Sequence, residues 1–409
     1  MAADTEHDAV VFDPFSADFY RDPHACYPAL RAHAPVFYNA QYDFYALSRH
    51  ADVAAGLKDF TTFSSAYGVD LGMVRTGQKA PAKMIISIDP PEHRVMRSLV
   101  NKVFTPRAIR ALHDMVSDTV DRFLAAACDA SASSSFDVVS DFSVYFPVDV
   151  ITQMLGVPED QRQQVRLWID ESLHRAPGQI DISESGKQAM AEMWLMYYQL
   201  IQERREAPRE DMISALIAAE VTRDDGTTDR LRDSEIAGFA TLLGGAGAET
   251  VTKLVGGAVA TFARHPEQWQ QLLDDRTLIP AAVEELLRYD APVQYNVRRS
   301  TREVRLHGVT IPAGAPVFLL GASANRDPDA WTAPDTFDIS RDRTEAQNLG
   351  FGYGIHSCLG AALARMESRV ALEKLLDLMP RYEVLWDGCR RVSMQNVAGY
   401  SHVPVRILV

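Results

Sequence analysis

The longest apolar stretch of the chain runs from about Ile236 to Ala263, is rich in Gly and Ala, and is interrupted by Glu249 and Lys253. Two charges inside such a run favour a helix buried within a large protein over a membrane span. Apolar residues at helical spacing predict helices over Glu92–Val103, Ala108–Ala127 and Gln188–Glu206. Pro280–Tyr289 predicts another, with proline near its first turn, where a missing N–H does no harm. Alternation is rarer. Val36–Leu47 and Val304–Leu320 alternate, the latter around His307-Gly308 and Pro312-Ala313-Gly314, and predict hairpins; Val403–Val409 predicts a strand. Ala66–Ala82, Ser131–Ser135 and Arg223–Arg230 read as loops. The expected fold class is mainly α with a small β portion.

A chain of 409 residues is long enough for two or three domains and buries a large core. No repeat, low-complexity linker or shift of composition divides it, so one domain over residues 1–409 is expected, large enough to enclose a bulky cofactor. The net charge of -14 leaves no basic excess to neutralise phosphates. It equally disfavours an anionic membrane surface. Neither nucleic acid nor membrane is expected as a partner. Met1–Phe15 is acidic and has no apolar run, so neither a secretory signal nor a membrane anchor is read there, and a cytoplasmic location is expected. The cysteines Cys26, Cys128, Cys358 and Cys389 lie far apart, without zinc or disulfide spacing, and read as reduced thiols.

Cys358 stands out by its setting. In Phe351-Gly352-Tyr353-Gly354-Ile355-His356-Ser357-Cys358-Leu359-Gly360 a glycine-rich turn leads into the apolar segment Ala361-Ala362-Leu363-Ala364-Arg365. Cysteine at such a joint is expected to have a lowered thiol pKa, since helix N–H groups and the helix dipole favour an anion. Gly352 and Gly354 allow unusual backbone angles. Gly360 removes a side chain where a flat ligand can approach. A thiolate surrounded by N–H donors suits the axial position of haem iron. The plainer reading is a buried helix-start cysteine without a role. The pattern Phe-Gly-x-Gly-x-His-x-Cys-x-Gly followed by Leu-Ala-Arg resembles, position by position, the haem-binding loop of the cytochrome P450 superfamily. That resemblance extends in order over most of the chain.

The resemblance implies a triangular helical domain enclosing haem b, with Cys358 as the iron ligand and Phe351, Gly352, Gly360 and Ala246 against the cofactor. Glu285-Leu286-Leu287-Arg288 resembles the family's buried Glu-x-x-Arg pair, a structural lock joined by an arginine such as Arg341. His93 and Arg97, at i and i+4 on one helix, resemble a pair that grips a haem propionate; His356 and Arg298 match two further propionate partners. Leu242-Leu243-Gly244-Gly245-Ala246-Gly247-Ala248-Glu249-Thr250 resembles the oxygen-binding groove. There Thr250 hydrogen-bonds dioxygen and Glu249 relays protons from solvent. Asn348 and Gly350 depart from the family, which often has His and Ala or Ser at these positions.

By position the same resemblance nominates Val69, Leu71, Met73, Phe239, Leu243, Val293, Tyr295, Asn296 and Val397 for the substrate pocket, although each also reads as plain core. The expected function is a monooxygenase acting on a small to medium hydrophobic molecule. Electrons would come from NAD(P)H through a ferredoxin reductase and a ferredoxin, the protein itself being a monomer. Arg94, Lys102, Arg107, Arg110 and Arg365 form a candidate basic patch for an acidic ferredoxin. A peroxide-driven haem-thiolate enzyme and a non-catalytic haem sensor or carrier are the alternatives; neither needs electrons from a ferredoxin.

Overall fold

The long apolar run folds as one unbroken helix, Asp233–Arg264. It contains no proline, and it is covered on several sides by the helices Phe146–Leu155, Glu159–Leu173, Glu184–Glu206 and Ala361–Leu378. Asp233 and Glu235 in its first turn and Arg264 in its last complement the helix dipole. The computed structural model describes residues 10–80, 84–102, 104–130, 134–222 and 226–408. Among these, no helix is long and apolar enough to cross a membrane. The chain is about 54% helical with small sheets, the mainly α class expected.

The predicted helices appear as Glu92–Asn101, Glu184–Glu206 and Ile279–Tyr289. Ala108–Ala127 is not one helix but two, Pro106–Arg110 and His113–Ala130. Between them the Leu112 N–H reaches back to the Ile109 carbonyl, a tighter turn than an α-helix makes. Apolar spacing carries on through that break and so cannot reveal it. The loop Ala66–Ala82 contains a short helix, Leu71–Arg75, started by the Asp70 carboxylate accepting the Met73 N–H at 2.8 Å. Val103, Val409 and parts of the loops at 66–82, 131–135 and 223–230 lie outside the described residues.

Val36–Asn39 and Phe44–Leu47 form the expected hairpin. The Val304–Leu320 segment divides. Val304–Leu306 pairs with Val309–Ile311 across His307 and Gly308, both at positive φ, whereas Pro316–Leu319 leaves that hairpin. It runs parallel to Phe44–Leu47 and antiparallel to Asn296–Ser300, a strand with no clear sequence signal. The register sets Arg298 opposite Val317 and buries both. The C-terminal strand Pro404–Ile407 lies between Tyr382–Val384 and Ser135–Asp137.

Two cores result. The larger surrounds the long helix. The second is aromatic: Phe12 meets Phe19, Phe44 and Phe318 edge-on at 5.8 to 6.5 Å between centroids, with Tyr27 and Tyr295 in the same cluster. It pins the N-terminal segment to the sheet that holds Val36–Asn39, Phe44–Leu47, Pro316–Leu319 and Asn296–Ser300.

Candidate functional site

The cysteine loop is shaped by its glycines. Gly352 and Gly354 take φ of 68° and 73°, and a Cβ on Gly354 would lie 2.7 Å from the Leu57 carbonyl oxygen. The Cys358 N–H donates to the Phe351 carbonyl at 2.9 Å, closing the loop. The helix that follows starts at Ala361, three residues beyond the cysteine. Cys358 is exposed as a residue, yet its surroundings desolvate the thiol and raise its pKa. The Gly360 N–H, Arg97 and Arg365 oppose this rise without cancelling it. The expectation of a lowered pKa is thus corrected: desolvation outweighs the Gly360 N–H and the two guanidinium groups. A groove of about 410 Å³ also borders the loop, lined by Phe351, Gly352, Tyr353, Cys358, Ala361 and Arg365 among others. Arg365 lies over the Phe351 ring and pairs with Glu284 at 2.5 Å.

His93 and Arg97 from the helix Glu92–Asn101, Arg298 from the strand Asn296–Ser300 and His356 from the cysteine loop converge. The His93 and His356 rings are 4.6 Å apart, and each has a buried Nε2 with no hydrogen-bond partner. Burial, then Arg298, His93 and Arg97, pull His356 down to about 3. Burial lowers Arg298 to about 10, and its Nη1 donates to the Val297 carbonyl at 2.9 Å. His93 and Arg97 are lowered by burial as well. A buried cluster of donors and positive charge without a matching anion is costly, and a dianionic ligand removes that cost.

On the long helix, Ala246 is exposed although most of its helix is buried, so it faces open space. One turn on, the Thr250 hydroxyl donates to the Ala246 carbonyl at 2.9 Å. The neighbouring glycines have separate reasons. A Cβ on Gly244 would be 3.0 Å from the Tyr197 hydroxyl oxygen, one on Gly247 would touch Ile151 at 3.4 Å, and one on Gly245 would meet nothing within 4 Å. Two serve packing and one borders open space. The helix stays regular, with no opening in this stretch.

Glu249 is not free. It is buried, and its Oε1 lies 2.5 Å from the ammonium of Lys253, one turn along and buried too. In the sequence Lys253 interrupts the apolar run, and its i, i+4 spacing from Glu249 is the signal that the two can pair.

These features suit a flat, dianionic, metal-bearing cofactor. The thiol faces a cavity, Gly360 has nothing within 4 Å of a would-be Cβ, and the unpaired donors await carboxylates. The chain matches the cytochrome P450 family over residues 179–385. It is 41% identical over 399 residues to cytochrome P450 123 of Mycobacterium tuberculosis, covering 97% of each chain. The chain belongs to the cytochrome P450 family. Further cytochrome P450 relatives include the erythromycin C-12 hydroxylase of Saccharopolyspora erythraea, 38% identical with 92% of each chain covered. The vitamin D(3) 25-hydroxylase of Pseudonocardia autotrophica is 36% identical, with 96% of each covered. Among solved structures, a cytochrome P450 from Chondromyces apiculatus superposes with a TM-score of 0.84 at 33% identity, over 97% of this chain and 98% of that one. Another, from Bacillus megaterium in complex with corticosterone, gives 0.83 at 29% identity, over 96% and 100%. Cytochrome P450 enzymes bind haem b, and this chain is a cytochrome P450 monooxygenase.

Two nominated pocket residues belong elsewhere. Leu71 and Tyr295 are buried in the aromatic core, and the Tyr295 hydroxyl donates to the Gln395 carbonyl at 2.7 Å. Both lie in segments that also carry nominated pocket residues, and side-chain direction separates the two groups. Phe239 and Leu243 line the main core on the long helix. Val293 bridges Val397, while Val69, Met73 and Asn296 are half-buried. Glu285 and Arg288 form a buried bidentate pair at 2.8 Å for both contacts, and Arg341 adds a third contact at 3.2 Å.

Proposed function

We propose that this monooxygenase holds haem b through the Cys358 thiolate and oxidises a neutral, hydrophobic molecule of medium size. The observation that carries the reading is the convergence of His93, Arg97, Arg298 and His356, with two buried ring nitrogens unpaired, beside an accessible thiol. Bound haem supplies the activation of dioxygen, one atom of which enters the substrate while the other leaves as water, consuming two electrons and two protons. The four donors neutralise and orient the two propionates. Phe351 and Gly352 shape the loop on the thiolate side, and Gly360 and Ala246 leave room for a flat ring. Thr250 presents a hydroxyl for proton transfer, and Glu249 resupplies its proton. Without that supply, reduced oxygen escapes as peroxide and the substrate is left unoxidised.

The substrate class is supported by the apolar character of Phe239, Leu243, Val293 and Val397, with Val69, Met73 and Asn296 completing the candidate wall. It is supported too by what relatives act on or hold by name: erythromycin, vitamin D(3) and corticosterone. Electrons are assigned to a ferredoxin and its NAD(P)H-dependent reductase. Arg94, Arg107 and Arg110 are exposed and suit an acidic partner, whereas Arg365 is tied to Glu284 and Lys102 to the Glu220 carbonyl. The deciding experiment is an optical titration of the ferric holoprotein with apolar compounds. A low-to-high-spin shift confined to one chemical class is the expected result and names the substrate class. Intact thiolate ligation with no shift for any apolar class overturns the hydrophobic-substrate assignment.

A further inference from the structure

We propose that the Ser65 hydroxyl is a fifth donor to the carboxylates that His93, Arg97, Arg298 and His356 hold. The proposal rests on the reading above that those four bind the propionates. Ser65 is 0% exposed, and its Oγ has no hydrogen-bond partner among the described residues. Buried hydroxyls in folded proteins are nearly always paired, and an unpaired one is costly. Its own backbone and its neighbour are satisfied. The Ser65 N–H donates to Asp89 Oδ1 at 3.1 Å, and the Ser65 carbonyl accepts from the Gly68 N–H at 3.0 Å. The Ser64 hydroxyl donates to Asp89 Oδ2 and accepts from the Ala66 N–H at 3.1 Å. Local turn chemistry therefore accounts for the Ser64 side chain and leaves that of Ser65 without a task.

Two connections set Ser65 at the donor cluster. The short strand Phe63–Ser64 pairs antiparallel with Asn296–Ser300, Phe63 opposite Ser300 and Ser64 opposite Arg299. The next step of that register brings Ser65 level with Arg298, on the other face of the sheet from Ser64 and Arg299. Residues so placed have Cβ atoms about 5 Å apart. Asp89 makes the second connection. Its carboxylate holds Ser64 and Ser65, and its carbonyl accepts the His93 N–H at 3.1 Å, at the start of the helix Glu92–Asn101. One residue thus fixes Ser65 against the helix that supplies His93 and Arg97.

Ser65 Oγ, His93 Nε2 and His356 Nε2 are all buried and all unpaired. Each can donate a hydrogen bond, so one class of ligand, an anionic acceptor, satisfies all three. Hydrogen bonds to a carboxylate are shorter and stronger than those to a neutral acceptor. A serine also adds a donor without adding to the positive charge that Arg97 and Arg298 already bring together.

The test replaces Ser65 by alanine and follows loss of cofactor from the ferric holoprotein to an excess of a haem-free globin. It is run once with haem b and once with the haem dimethyl ester, which keeps ring and iron but carries no carboxylate charge. Arg298→Gln is the control for the propionate reading. We expect Ser65→Ala to lose haem b about tenfold faster than the parent, since a hydrogen bond to a charged acceptor is removed. With the dimethyl ester it should lose cofactor at the parental rate, and Arg298→Gln should show the same selectivity. Equally faster loss of both cofactors from Ser65→Ala makes the serine a packing residue and overturns the proposal. Parental loss of haem b from Ser65→Ala, with Arg298→Gln selective, overturns the fifth donor alone. A non-selective Arg298→Gln overturns the propionate reading and the fifth donor with it.

Discussion

Replacing Arg288 by lysine isolates what the guanidinium fork contributes to the cofactor-bearing core, since the charge is kept. Arg288 is 1% exposed and donates to both Glu285 oxygens at 2.8 Å and to the carbonyls of Asn325, Pro334 and Thr336 at 2.9, 2.7 and 3.0 Å. It thereby ties the helix Ile279–Tyr289 to the irregular segment before the cysteine loop. A single ammonium has no planar fork to span Glu285 and the carbonyls at once, so about two of the three acceptors that Arg288 alone serves, Glu285 Oε2 and the Asn325 and Pro334 carbonyls, lose their partner. An unsatisfied buried acceptor costs about 1–3 kcal/mol, so the loss is about 2–6 kcal/mol. An unfolding entropy of about 2.1 cal/mol/K per residue gives a chain of this length about 0.9 kcal/mol/K, and hence a fall in melting temperature of about 2–7 °C. Glu285 retains Arg341 and the Asp338 N–H, so its charge is not stranded. The assay is the thermal midpoint of the holoprotein together with haem content after purification. The exposed pair of Arg122 and Glu159, 46% and 75% exposed, serves as control. Glu159→Gln should shift the midpoint by no more than about 1 °C. If Arg288→Lys melts within about 1 °C of the parent and retains full haem, the argument from buried fork geometry is wrong.

Cys358→Ser should abolish the optical signature of thiolate ligation; its persistence would remove Cys358 as the ligand. Gly360→Leu should leave the far-ultraviolet circular dichroism unchanged, because a Cβ there meets nothing within 4 Å, while haem uptake falls. Full haem content in that variant would show that the cofactor lies elsewhere. Gly354→Ala places a methyl 2.7 Å from the Leu57 oxygen and 3.0 Å from Lys58 Cα, at φ 73°. It should cost about 2–5 kcal/mol through the backbone angle and overpacking together, measured by denaturant titration. Thr250→Val should keep electron consumption but divert most of it to peroxide, read as product per NAD(P)H. Unchanged coupling would remove the hydroxyl from the proton path.

The sequence alone determined what local pattern can carry. The glycine spacing around Cys358 specifies positive-φ turns, and the apolar run specifies a buried helix. The i, i+3 spacing of Glu285 and Arg288 and the i, i+4 spacing of His93 and Arg97 set each pair on one helix face. Family resemblance then gave these local features a common purpose. Tertiary structure decided which partners meet. It laid Pro316–Leu319 beside Phe44–Leu47 in parallel, turned Leu71 and Tyr295 into the aromatic core, and raised the Cys358 pKa by desolvation. It also fitted Gly399 to the Lys253 stem. Periodicity records that a side chain is buried, but not against what. The field at a titrating group depends on charges distant in sequence, and only the folded packing supplies them.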